Sequence, residues 1–191
     1  SSAASACVHC AAGKANPVPG SSNPAVCKDC LPGSFTAIAG KDICTLCEAG
    51  KYQDGRAEMA CKACTAGNYC IEGASAPLPC PAGKRMDKSL DVMKKEDDCL
   101  ICAKGTFCPV GSADETPCAP GTFADKQESK TCTNCEAGKY QDASGDTSCK
   151  VCPAGSYCSK GAAAPLPCNA GTYSSTVGLT AATECTDCPA G

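Results

Sequence analysis

The 22 cysteines of this 191-residue chain obey one alternation, and it leaves few folds open. Eleven cysteines open the phrase C-x-x-G: Cys10, Cys30, Cys47, Cys64, Cys80, Cys102, Cys118, Cys135, Cys152, Cys168 and Cys188. The other eleven are Cys7, Cys27, Cys44, Cys61, Cys70, Cys99, Cys108, Cys132, Cys149, Cys158 and Cys185. From Cys7 onward the two sets alternate without a break. This parity predicts that each C-x-x-G cysteine closes a loop onto the next cysteine. The expected pairs are 10–27, 30–44, 47–61, 64–70, 80–99, 102–108, 118–132, 135–149, 152–158 and 168–185, with Cys7 and Cys188 left over.

The alternation is also duplicated. The six cysteines from Cys44 to Cys80 recur from Cys132 to Cys168 at a constant offset of 88 positions. Repetition at a fixed period points to stacked modules rather than one globular core. The expected organisation is partial leading repeats over 1–29, a first super-repeat over 30–117 and a second over 118–191. The last residues, Cys188-Pro189-Ala190-Gly191, open another C-x-x-G phrase, so the repeats are expected to continue in a longer protein.

Composition supports a covalent scaffold. There is no Trp, with three Phe and five Tyr, and much of the apolar fraction is Ala and Cys. Burial yields only about 25 cal/mol per Å², so a conventional core is out of reach and disulfides must replace it. That requires an oxidising compartment, extracellular or at the cell surface. The net charge of −3 is mild and has no basic stripe for nucleic acid. No apolar run approaches the roughly 18 residues of a membrane span, and Ser1 to Ala6 is no secretion leader.

All eight aromatics sit two residues after a motif glycine: Phe35, Tyr52, Tyr69, Phe107, Phe123, Tyr140, Tyr157 and Tyr173. Each is expected to lie over a disulfide as a local mini-core. The glycine would supply a φ > 0 turn or a close backbone approach. Two-stranded ribbons turning at Asp54-Gly55 or Ser144-Gly145-Asp146 would fill the loops. A compact unit, C-x2-C-x5-C-x9-C, occurs at Cys61–Cys80, Cys99–Cys118 and Cys149–Cys168. Its Ala-Pro-Leu-Pro runs (76–79 and 164–167) read as stiff spacers. The fold class is therefore small disulfide-rich repeats: an elongated rod of stacked short β-ribbon and loop modules with little helix. A compact domain of this length would have a radius of gyration of about 16 Å, and a scattering value near that figure would exclude the rod.

The loop from Cys80 to Cys99 departs from the pattern. It is dense in charge, and Leu90 and Met93 are spaced for a short helix. It reads either as a solvated face or lid over the missing aromatic, or as a contact for a partner through Lys84, Arg85, Lys94 and Lys95. No catalytic or metal residue is assigned, and no cofactor is expected. Eight C-x-x-C pairs invite zinc, but only one His is present and six cysteines stand outside such pairs. His9 reads as an exposed loop residue, and Glu96-Asp97-Asp98 lacks the spacing of a calcium loop. No nucleophile–base pair or phosphate loop occurs, so the chain reads as a non-enzyme. Asn68-Tyr69-Cys70 is the rare cysteine form of a glycosylation acceptor. Ser21-Ser22 and Ser174-Ser175-Thr176 would permit O-linked glycans, and Pro77, Pro79, Pro165 and Pro167 hydroxylation. An intact mass equal to the sequence less 20 or 22 hydrogens would refute such modification.

The phrase C-x-x-G-x-[YF], a closing cysteine and then C-x-x-C resembles the cysteine-rich repeats of TNF-receptor and ephrin-receptor ectodomains. CLPGSFTAIAGKDICTLC (30–47) is one instance. CPAGSYCSKGAAAPLPCNAGTYSS (152–175) is similar to ephrin-receptor-like repeats of large secreted and surface proteins, many from algae and protists; all belong to the broad EGF-like class. The resemblance implies the same loop closure as the parity. TNF-receptor modules also use crossed pairings, and the compact units offer that alternative, for example Cys61–Cys70 with Cys64–Cys80. The simple tiling is preferred, because the crossed scheme strands Cys47.

The expected role is a structural segment of a large extracellular protein, such as a filament, flagellar-hair (mastigoneme-like) or cell-coat glycoprotein. Its partners would be other copies of itself or other matrix or filament proteins. The rival expectation, implied by the receptor resemblance, is a ligand-binding or adhesion ectodomain.

Overall fold

The computed structural model describes residues 9–18, 20–21 and 23–189. Cys7 and Ser22 therefore lie outside the described residues. Two compact units are present. One gathers the chain up to Cys80 together with Met86–Cys99; the other gathers Pro81–Arg85 and the chain from Leu100 onward.

Each unit is built from one repeated element. After the C-x-x-G cysteine the chain makes a tight turn. In Leu31-Pro32-Gly33-Ser34 the Ser34 N–H donates to the Leu31 carbonyl at 3.0 Å and Gly33 takes φ 87°. Pro followed by a glycine at positive φ is the type II pattern. The two residues after the glycine form a strand, and the two residues before the next C-x-x-G cysteine form its antiparallel partner. Lys51–Tyr52 thus pairs with Lys62–Ala63, and Lys139–Tyr140 with Lys150–Val151. Among the described residues there are ten such two-residue hairpins and three one-turn 3₁₀ segments, Pro24–Val26, Glu96–Asp98 and Ala182–Glu184. A two-stranded hairpin is marginal in water by itself, so each needs outside support.

The support is partly covalent. The described residues hold ten disulfides, each joining a C-x-x-G cysteine to the next cysteine along: Cys10–Cys27, Cys30–Cys44, Cys47–Cys61, Cys64–Cys70, Cys80–Cys99, Cys102–Cys108, Cys118–Cys132, Cys135–Cys149, Cys152–Cys158 and Cys168–Cys185. No crossed pair occurs among them. Closing a loop of about 15 residues is worth roughly 3 kcal/mol in the chain-entropy model.

The rest of the support is a backbone ladder between successive loops. In the first unit, the Gly33 N–H donates to the Gln53 carbonyl (2.7 Å), the Cys47 N–H to Gly33 (2.9 Å), the Ala57 N–H to Cys30 (2.9 Å) and the Thr36 N–H to Glu58 (3.2 Å). In the second unit the equivalent four run from Gly121 to Gln141 (2.7 Å), Cys135 to Gly121 (2.9 Å), Gly145 to Cys118 (2.8 Å) and Ala124 to Asp146 (3.2 Å). The motif glycine thus gives its N–H and its C=O to the next loop. It also faces a turn two loops on: a Cβ on Gly33 would lie 2.2 Å from the Gly73 carbonyl oxygen, and one on Gly121 2.3 Å from that of Gly161.

Three expectations need correction. The aromatics are not the interior; apart from exposed Tyr173 they are half-buried. The deepest side chains are half-cystines together with Gln53 and Gln141, each 1% exposed. A ring two residues past the glycine is covered only in part, as Tyr69 is by Cys80, Met93 and Cys99. The Ala-Pro-Leu-Pro runs are not spacers, since Leu78–Pro79 and Leu166–Pro167 are the closing strands of hairpins with Asn68–Tyr69 and Ser156–Tyr157. Proline suits that exposed edge, where no ladder N–H is required of it. In the first super-repeat the left-handed turn falls on Ala57 (φ 56°), not on Gly55.

Candidate functional site

The charged loop has no helix at Leu90 and Met93; that stretch is a series of bends followed by the turn Glu96–Asp98. Met93 is 2% exposed and packs with Cys80 and Cys99, against Tyr69 and Met86. An apolar plug for the bridge is what fixes this segment, and the Asp98 carboxylate holds it by accepting from the Lys94 and Lys95 N–H groups at 2.7 and 3.2 Å. Lys94 and Lys95 are exposed on the first unit, while Lys84 and Arg85 lie half-buried on a strand of the second. Arg85, standing where other loops carry an aromatic, is 3.7 Å from the Glu115 carboxylate. That oxygen also accepts from the Ala103 N–H at 3.0 Å. Arg85 is thereby committed within its own unit.

Two other features recur at the 88-residue offset. The first is a cross-strand set. Lys62 donates to Asp54 and stands 5.8 Å from the centroid of the Tyr52 ring; Lys150 does the same with Asp142 and, at 5.9 Å, Tyr140. The hydrogen bond from each lysine holds the aspartate carboxyl below its usual range and pushes the lysine above its own. Behind each aspartate a buried glutamine spans the loop. Gln53 donates to the Ala60 carbonyl and accepts from the Gly55 N–H, as Gln141 does with Ser148 and Ala143.

The second feature is a shallow groove, about 220 Å³ in the first unit and about 340 Å³ in the second. Phe35, Thr45, Leu46, Glu48 and Lys51 line one; Phe123, Thr133, Asn134, Glu136 and Lys139 line the other. A half-cystine, Cys61 or Cys149, forms part of each wall. Glu48 and Lys51 pair at 3.4 Å, Glu136 and Lys139 at 3.6 Å. Neither groove was singled out from the sequence. The available signal was the run CEAGKYQD, identical at 47–54 and 135–142.

The two cysteines of each C-x-x-C with both members described belong to different bridges, except Cys185-x-x-Cys188, where Cys188 is free and exposed. No cluster of three or more metal-ligating side chains occurs among the described residues, and no helix there is long and apolar enough to cross a membrane. His9 is exposed. The Asn68 amide donates to Thr65 and Ala66, and Cys70 of that triplet is in a bridge. Ser175, Thr176, Pro79 and Pro167 are exposed, Pro77 and Pro165 half-buried.

Fold and surfaces together define a class: tandem disulfide-closed hairpins of the kind used in extracellular modules. The family model described as tyrosine-protein kinase ephrin type A/B receptor-like matches residues 121–165. No curated protein matches the chain. The chain is accordingly a cysteine-rich repeat protein resembling ephrin-receptor-like modules, a family whose members are typically extracellular and non-catalytic.

Proposed function

We propose that the chain is a structural, non-catalytic segment of a large extracellular protein, a filament, flagellar-hair or cell-coat component whose loops are stiffened by tandem disulfides. The observation that supports this most is the four-bond junction between successive loops. Seven of the nine junctions between successive described loops use the same four backbone bonds, a pattern suited to construction. The side chains left outside form shallow grooves and exposed ion pairs rather than an enclosed pocket with convergent polar groups. Its partners would be copies of itself or other matrix proteins, with O-linked glycans on exposed hydroxyls such as Ser175 and Thr176.

The ephrin-receptor-like match favours a second reading, a ligand-binding or adhesion ectodomain with exposed Lys94 and Lys95 at its contact. Electron microscopy of the full-length protein from its native source separates the two. Ordered fibres in which this segment recurs support the structural role. Isolated particles tethered to membrane would overturn it in favour of the receptor.

A further inference from the structure

The two grooves carry a property that no single-signed binding site has. Each presents a carboxylate and an ammonium side by side on its rim: Glu48 is 82% exposed and Lys51 53%, and Glu136 and Lys139 are 84% and 47%. A partner of one charge would meet repulsion from half of this rim. A partner presenting the opposite order of the same two charges would meet attraction from both. The surface with that order is the groove itself, turned through a two-fold axis.

Comparison within the chain shows that these charges lie in a run, CEAGKYQD at 47–54 and 135–142, kept whole between flanks that have changed. The flanks on either side have diverged: 36–43 and 124–131 share no residue in register, nor do 55–60 and 143–148. Thr45, Glu48 and Lys51 nevertheless recur as Thr133, Glu136 and Lys139, all exposed. An exposed ion pair three residues apart adds only about 0–1 kcal/mol to a fold. Cys47, Gly50 and Gln53 of the retained run serve the bridge, the turn and the loop, whereas folding alone gives little reason to keep this pair.

We propose that each groove is a contact for a second copy of the chain. The apolar floor at Phe35 or Phe123 is covered, and Glu and Lys of one copy face Lys and Glu of the other. Because every chain carries the patch twice, association does not stop at a pair. This rests on the structural role proposed above and names the surface that would serve it. The contact is far smaller than the roughly 800 Å² per partner of a stable interface, so each groove is a weak contact and association grows with chain concentration.

Sedimentation velocity of the oxidised full chain over a dilution series tests it. The weight-average mass is expected to rise past two chains, and to fall back as salt is added. Glu48→Lys with Glu136→Lys makes both rims positive, and Lys51→Glu with Lys139→Glu makes both negative. Each double variant is expected to stay at one chain mass, an apparent weakening of about a hundredfold from like-charge contact. Mixed together they are expected to associate again. Glu136→Lys alone is expected to stop at two chains. These side chains are exposed, and an intact mass showing ten bridges confirms that each variant has folded. A wild type at one chain mass throughout overturns the proposal, as does association that ignores the charge variants or variants that stay apart when mixed. Association blind to the variants leaves the structural role standing with another contact, because that role is judged separately by the microscopy.

Discussion

The loop closed by Cys47–Cys61 and the loop closed by Cys64–Cys70 have the same backbone and different staples. Each turns at a glycine with φ > 0, Gly50 at 94° and Gly67 at 76°. Each then sends out a two-residue strand that pairs with the two residues ahead of the next C-x-x-G cysteine. The difference lies in a slot three residues after the glycine. In one loop it holds Gln53, 1% exposed; in the other it holds Cys70, fully buried. Where the slot is cysteine, the bridge closes there and spans six positions; where it is glutamine, the amide crosses the loop by hydrogen bonds and the bridge spans fourteen. The slot's backbone does not change: the Gln53 N–H donates to Ala74 and the Cys70 N–H to Met93. The comparison teaches that the ladder defines the module and the disulfide is a movable reinforcement.

If so, damage to the ladder should exceed damage to a staple. Gly105→Ala puts a Cβ 1.9 Å from the Gly145 carbonyl oxygen in a backbone at φ 79°. Gly155→Ala meets nothing within 4 Å at φ 75°. The first is expected to cost about 3–4 kcal/mol locally, the second only the left-handed penalty of about 1–2 kcal/mol. Native-state hydrogen exchange of the amides around each turn reads both, and equal costs would break the argument. Replacing Cys47 and Cys61 together by alanine should cost about 3 kcal/mol, and replacing Cys64 and Cys70 about 2.4 kcal/mol, from their loop lengths. A shorter loop that proved the costlier would show that buried sulfur packing, not loop closure, governs the staple.

The sharpest form of the comparison converts one loop into the other. Gln53→Cys with Cys61→Ala offers Cys47 a partner at the spacing of Cys64–Cys70. We expect Cys47 to bridge to the thiol introduced at position 53, with a local loss of about 1 kcal/mol from the shorter loop and the lost amide hydrogen bonds. Peptide mapping decides this, and free thiols at both positions would mean that the slot is not general. A smaller effect is expected at Glu128, which holds φ 61° where most of these turns carry glycine. Glu128→Gly should raise local stability by about 0.5–1 kcal/mol, the relief of the left-handed strain less the added freedom of the unfolded chain.

The alternation of cysteines and the 88-residue duplication made the modular, helix-poor fold legible, because covalent spacing is written directly in the sequence. The slot was not, since Thr36, Gln53, Cys70 and Ala124 share no residue type. What they share is a pair of backbone hydrogen bonds, and backbone demands leave no side-chain signature. The aromatics misled for the complementary reason. Their regular spacing is conspicuous, yet a two-residue hairpin covers a ring only in part. In the charged loop, ten ionic side chains drew attention from Met93, whose burial against Cys80–Cys99 organises the segment. The grooves were hard to read beyond the repeated CEAGKYQD, because their walls come from residues 35, 45, 46, 48, 51, 60 and 61, which only the folded hairpins bring together.

The weakest expected effect lies in the Asp54–Lys62 pair, which closes the hairpin that carries Gln53. The hydrogen bond from Lys62 lowers the Asp54 carboxyl in the folded chain. Its contribution is therefore complete above the unfolded aspartate value of about 3.9 and is lost as pH falls through the lower folded value. Lys62 is raised by the same bond, so its contribution is complete below about 10.4 and is lost as pH rises through the higher folded value. Both windows lie outside the neutral range, where the pair should confer no pH dependence at all. The Tyr52 ring beneath Lys62 reports the acid window without relying on stability. Its proton resonances should titrate with Asp54, and Asp54→Asn should abolish that step while leaving the Tyr140 step from Asp142 in place. Because the pair is open to solvent, loss of the step should scarcely move the unfolding midpoint. A large shift would mean that this exposed ion pair, rather than the glutamine and the ladder behind it, holds the hairpin closed.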